Sequence, residues 1–211
     1  MMTLIVLTLL AFISAVLTIL ASYQGRRLTL YLFKPLTILF IILIALESKH
    51  PTSVFYRYAI IIGLLFSLAG DLFLMLPDDR FIQGLVSFLL AHFCYIAAFT
   101  TESGRALSGL DLIPFLIYGG LMLRLLWPHL GKMKAPVIVY MLVILLMGWV
   151  AASRWLITGQ EGSRLAFSGA TLFIASDSLL AVDRFRGRFR SAQLFILGTY
   201  FTAQWLIALS T

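Results

Sequence analysis

A single cysteine, Cys94, in 211 residues leaves no partner for an intrachain disulfide, so cysteine usage says nothing about redox compartment. Charge is scarce too. Asp, Glu, Lys and Arg make up 12% of the chain, about half of the roughly 25% usual in a soluble domain. No polar stretch between the apolar runs is long enough to form a soluble domain. The chain contains no Walker loop, dinucleotide-binding glycine pattern or GxSxG elbow. It also lacks HExxH and CxxC, and His50 and His129 fall near helix ends on opposite faces, so no metal site is expected. The apolar-polar alternation of a transmembrane barrel is missing as well.

Hydrophobic residues make up 61% of the chain, at a mean hydropathy of +1.00. Runs of about 18 to 20 apolar residues can cross a hydrocarbon core of about 30 Å as helices. Eight such runs occur, at about 3–22, 28–46, 57–76, 81–100, 111–127, 135–152, 164–183 and 190–209. The expected fold is therefore an all-α polytopic membrane protein, one eight-helix transmembrane domain over 1–211. The first run is too long, and too poor in basic residues at its start, for a cleaved signal, so it is expected to be helix one.

The formal charge of +7 does not point to nucleic acid, because the cations are sorted by loop. Arg26, Arg27, Arg80, Lys132, Lys134, Arg184, Arg186, Arg188 and Arg190 lie in joints after odd-numbered helices, with Lys34 and Arg124 close by. Lys49, Arg57, Arg105, Arg154 and Arg164 lie on the other side. The positive-inside bias predicts cytoplasmic odd joints and both termini outside; the expected setting is a bacterial inner membrane. DRFRGRFR reads as an anchor for acidic headgroups.

Against this background two carboxylates stand out, Asp71 in GLLFSLAGDLFLML and Asp177 in GATLFIASDSLLAV, 106 residues apart. A carboxylate at membrane depth costs about 3 kcal/mol or more unless it meets a partner or a wet cavity, so it marks a candidate site. The same offset relates Gly63 to Gly169 and suggests two parallel four-helix repeats, 1–105 and 106–211. Helices three and seven both end on the basic side, about five and six residues beyond their aspartates. At about 1.5 Å per residue both carboxylates lie roughly 8 to 9 Å below one face and can share a site.

Lys34 has similar depth in helix two, where Pro35 favours a kink; it can snorkel to the interface or neutralise an aspartate or a lipid phosphate. His92 with Tyr95, and Tyr200 with Gln204, form polar faces of helices four and eight nearer the midplane. Ser67 lies one turn before Asp71 and Phe173 one turn before Asp177, giving one polar and one aromatic environment. Such a difference can set two carboxyl groups apart as acid and base. The bland alternatives are a structural ion pair for the aspartates and interhelical hydrogen bonds for the rest.

At GLLFSLAGDLFLML, FIQGLVSFLLAHFCYIAAF, SGATLFIASDSLLAVDRF and LGTYFTAQWLI the chain resembles the YhhN family of lysoplasmalogenase-type membrane hydrolases. Lys34-Pro35 fits as well, and the order and spacing of the GD, HxxY, SD and TYxxAQ elements is more specific than any one of them. The resemblance implies an eight-helix enzyme without a cofactor. Its substrate would be a lysophospholipid, whose vinyl ether bond is hydrolysed to a fatty aldehyde and glycerophosphocholine or glycerophosphoethanolamine. Asp71 and Asp177 would be acid and base. Lys34, Ser67, His92, Tyr95, Tyr200 and Gln204 would line the pocket, with Lys34 or the basic joints on the phosphate.

The main rival is a proton-coupled transporter using the same two aspartates. An intramembrane aspartyl protease is disfavoured, because Leu68 occupies the first glycine position of a GxGD motif and no PAL follows. No oligomeric state follows from the sequence.

Overall fold

The computed structural model describes residues 2–47, 53–101 and 109–211. Lys49, His50, Arg105 and the junction between the two suggested repeats lie outside the described residues. Within them are α1 (Met2–Gln24), α2 (Arg27–Glu47), α3 (Val54–Met75), α4 (Phe81–Phe99), α5 (Ile113–Leu126), α6 (Lys134–Thr158), α7 (Glu161–Ala181) and α8 (Ala192–Leu209). Short 3₁₀ turns flank α5 and carry that crossing to Gly109–His129. No strand occurs among the described residues. All eight crossings are long and apolar enough to span a membrane, and the protein is a multi-pass integral membrane protein.

Short joints force antiparallel neighbours, and side-chain bonds record this. Trp205 near the end of α8 donates to Thr8 near the start of α1 (3.3 Å), while Tyr23 at the end of α1 accepts from the Leu194 amide at the start of α8 (3.2 Å). Tyr31 of α2 likewise donates to the carbonyl of Met75, the last residue of α3 (3.0 Å).

Helices α2, α3, α4, α6, α7 and α8 pack in that order into a closed ring, with α1 against α2 and α8, and α5 against α6. Ile38, Ile60, Leu64, Ala91, Phe99, Met147, Phe173 and Ile207 fill the ring and are essentially inaccessible. Leu, Ile and Phe side chains such as Ile62, Leu65, Leu72 and Phe93 cover the outside, where lipid is the solvent. Apolar burial gains little between helices in lipid, so close packing and interhelical hydrogen bonds hold the ring. Gly169 shows how close: a Cβ there would stand 2.8 Å from the Ala203 carbonyl of α8.

Three local features prepare the site. Pro35 lacks an amide donor and so leaves the Tyr31 carbonyl of α2 without its helical partner; nearby, Ser14 of α1 ties α2 in place by donating to the Phe33 carbonyl (2.9 Å). Helix α7 loosens past Ala181 into a single π turn, Val182–Arg186, closed by Gly187 N–H donating to the Val182 carbonyl (3.1 Å). Gly187 has φ 151°, a conformation that side chains rarely adopt. This turn swings the DRFRGRFR arginines over the end of the ring. Helix α6 continues past Arg154, beyond the boundary near residue 152 expected from charge, because Arg154 is wholly buried and needs no helix end to reach water. Its guanidinium donates to the Tyr56 hydroxyl (3.0 Å) and lies 4.5 Å from the centre of that ring.

Candidate active site

At the end of the ring where α3 and α7 finish, a cavity of about 660 Å³ is lined by Lys34, Asp71, Phe88, Ser176, Asp177 and Tyr200, from α2, α3, α4, α7 and α8. Both aspartates therefore border one space, as expected from their matched depth. Arg80, Arg184, Arg186 and Arg188 line its mouth together with Asp78, Asp79 and Asp183.

The two carboxylates differ in their partners. Lys34 Nζ lies 2.9 Å from Asp71 Oδ1, and Tyr200 donates its hydroxyl to Asp71 Oδ2 at 2.8 Å. Lys34 and Asp71 are both buried, so Lys34 does not snorkel but neutralises Asp71. Asp177 has neither lysine nor arginine within 4.0 Å among the described residues. Its Oδ2 accepts a very short hydrogen bond from the Tyr140 hydroxyl of α6, and His92 Nε2 stands 3.7 Å away. His92 Nε2 is in turn 2.9 Å from the Tyr140 oxygen. Phe88, Phe173 and Tyr200 pack edge to face against one another, with ring centres 5.5 to 6.2 Å apart.

Ser67, His92, Tyr95 and Gln204 do not border the cavity; they form a fully buried layer behind it. Tyr95 donates to Gln204 Oε1 (2.7 Å), and its hydroxyl oxygen is 3.4 Å from Ser67 Oγ. Gly63 makes room for the Tyr95 ring: a Cβ there would overlap it. Two buried atoms in this layer, His92 Nδ1 and Gln204 Nε2, have no hydrogen-bond partner.

Two residues at the site are not among the candidates expected from the sequence. Ser176 donates to the Ile196 carbonyl (2.9 Å) and fixes α7 against α8 beside Asp177. Tyr140 is the other, and its signal was available in numbering: the offset that separates the two aspartates also separates Lys34 from Tyr140. The position that supplies an ammonium to Asp71 supplies a phenol to Asp177. Among the described residues no three His, Cys, Asp or Glu side chains gather as a metal site would require. What the cavity offers chemically is a pair of carboxyl groups in different surroundings under a basic mouth.

The family model described as the YhhN family matches residues 29–211. The membrane protein YhhN of Escherichia coli O157:H7 is 29% identical over 198 residues, 94% of this chain and 94% of its own. A lysoplasmalogenase of Bos taurus is 35% identical over 166 residues, 76% of this chain and 66% of its own. A lysoplasmalogenase of Mycobacterium bovis is 31% identical over 153 residues, 69% and 56% of the two chains. No solved structure matches.

Proposed function

The chain belongs to the YhhN family, and from that membership we propose that it is a lysoplasmalogenase. In this reading it hydrolyses the vinyl ether bond of 1-alkenyl lysoglycerophospholipids, releasing a fatty aldehyde and glycerophosphocholine or glycerophosphoethanolamine. Relatives that carry the name lysoplasmalogenase support a hydrolase of this type acting in lipid metabolism.

The observation that carries the reading furthest is the single cavity bordered by both Asp71 and Asp177 under a mouth of arginines. Vinyl ether hydrolysis begins with proton transfer to an alkene carbon and passes through an oxocarbenium-like cation. It therefore calls for one carboxyl group as acid and another to stabilise the cation and activate water, as paired carboxyl groups do in glycosidases. A single-chain lipid entering between helices would carry its vinyl ether a few ångströms below the headgroup level, near the depth of the two aspartates. Arg186 and Arg188, which have no carboxylate partner among the described residues, suit the phosphate. The basic mouth then faces the cytoplasm of a bacterial inner membrane.

The transporter alternative needs a route through the ring. Inward from the aspartates, however, Phe173, Tyr95, Phe99, Leu64 and Ile60 are wholly buried against one another, which favours chemistry at a dead-ended site.

The test is incubation of detergent-purified protein with a lysoplasmalogen, following aldehyde release. Controls are the intact plasmalogen, which keeps its second acyl chain, and an ester lysolipid. Aldehyde from the lysoplasmalogen alone is expected. Uptake driven by a proton gradient in sealed vesicles, with no aldehyde formed, would instead make the protein a transporter.

A further inference from the structure

We propose a division of labour between the two aspartates. Asp177 holds the reactive proton, kept in place by a Tyr140–His92 relay, while Asp71 works as the ionised partner. The catalytic part of this inference rests on the hydrolase reading above.

The geometry around Asp71 is that of a carboxylate. Each oxygen accepts from a different donor, Oδ1 from the Lys34 ammonium and Oδ2 from the Tyr200 hydroxyl. Asp177 has no such compensation. No cationic lysine or arginine approaches it within 4.0 Å among the described residues, and only Oδ2 is engaged, by Tyr140. Its Oδ1 makes no hydrogen bond within the described chain, while the side chain borders the cavity and is 16% exposed. Of the arginines lining the mouth, Arg184 is paired with Asp79 (2.5 Å) and Arg80 with Asp78 (3.5 Å), and neither Arg186 nor Arg188 comes within 4.0 Å of Asp177. The unengaged Oδ1 of this cavity-lining residue is where a proton to be passed to substrate fits.

Hydrogen-bond logic fixes the relay. The one Tyr140 proton goes to Asp177, so the Tyr140 oxygen can only accept from His92, whose Nε2 must carry hydrogen. The chain His92 Nε2–H, Tyr140 O–H, Asp177 Oδ2 orients the carboxyl group and receives its charge once the proton has left. Tyr140 is thus a positioning residue.

The proposed steps balance. Asp177 transfers its proton to the alkene carbon one removed from the ether oxygen; the π electrons form the new C–H bond and leave an oxocarbenium ion. Asp71 takes a proton from water as the water oxygen bonds to the cationic carbon, giving a hemiacetal. The hemiacetal hydroxyl then returns its proton to Asp177 as the carbon–oxygen bond to glycerol breaks. Asp71 protonates the departing glycerol oxygen, and both carboxyl groups end as they began.

Two measurements test this on the full-length protein in detergent. The first is infrared spectroscopy of the carbonyl stretch of neutral carboxylic acids, which needs no turnover. A band lost in Asp177→Asn, retained in Asp71→Asn and shifted in Tyr140→Phe is expected. A band that follows Asp71, or its absence from the wild type, overturns the proposal. The second is steady-state kinetics on a lysoplasmalogen. Tyr140→Phe should lower kcat about tenfold or more with KM within about twofold. It should also raise the solvent deuterium isotope effect on kcat, whereas Tyr200→Phe should not. The opposite pattern, or an unchanged kcat in Tyr140→Phe, overturns the assignment. Should the wild type release no aldehyde at all, the hydrolase reading fails by itself, and the infrared result still decides where the proton sits.

Discussion

Replacing Lys34 by Met removes an ammonium while keeping much of the side-chain volume, and it should expose how Asp71 survives inside the membrane. At 2.9 Å, two unit charges attract by about 6 kcal/mol at an effective dielectric near 20. Desolvation of both groups offsets much of that, so the pair itself contributes little net stability. Loss of one partner is a different matter. With Lys34 and Asp71 only 10% and 2% exposed at their side chains, the stranded carboxylate costs roughly 3–5 kcal/mol. At about 2–4 °C per kcal/mol for a domain of this size, the midpoint of thermal unfolding in detergent should fall by roughly 10 °C. Adding Asp71→Asn to Lys34→Met removes the stranded charge, so the double variant should recover to within about 1 kcal/mol of the wild type. Thermal unfolding followed by tryptophan fluorescence reads all three proteins. A Lys34→Met protein as stable as the wild type, or a double variant no more stable than the single one, would refute the buried ion pair.

Asp71→Asn and Asp177→Asn should each lower turnover of a lysoplasmalogen at least about a hundredfold while the protein stays folded; near-normal rates in either variant end the two-aspartate account. Gly169→Ala places a methyl group 2.8 Å from the Ala203 carbonyl, and should destabilise the protein by about 1–3 kcal/mol. Gly120→Ala, with no atom within 4 Å of its new Cβ, serves as the control and should be close to neutral. Tyr95→Phe leaves the buried Gln204 Oε1 without its donor, at a cost of about 1–3 kcal/mol. Because Tyr95 does not border the cavity, KM should move little, and a large KM change would bring that layer into contact with substrate.

Crossing a hydrocarbon core demands long apolar runs, so all eight helices could be read from the chain. Helix direction then set the depth of Asp71, Asp177 and Lys34, three residues that the fold brings to one cavity. Rotation about each helix axis was not legible. A membrane helix is apolar on most sides, so nothing in α6 announces that Tyr140 turns toward Asp177 rather than toward lipid or an interfacial belt. For the same reason, depth alone could not tell that Ser67, His92, Tyr95 and Gln204 stand behind the cavity wall. The order of the ring, with α4 meeting α6 while α5 stays outside, depends on how small residues and ring stacks fit together. Charge misled at Arg154, where a partner inside the bundle, Tyr56, lets the helix run on.

Hydrolysis of a lysoplasmalogen in D₂O, with the aldehyde trapped at once by borohydride reduction and analysed by mass spectrometry, bears most directly on the central claim. If a carboxyl group of the aspartate pair protonates the alkene carbon, the trapped product carries one solvent deuterium on the carbon next to the former carbonyl, and Asp177→Asn abolishes its formation. Deuterated aldehyde formed at an undiminished rate by Asp177→Asn would contradict the account.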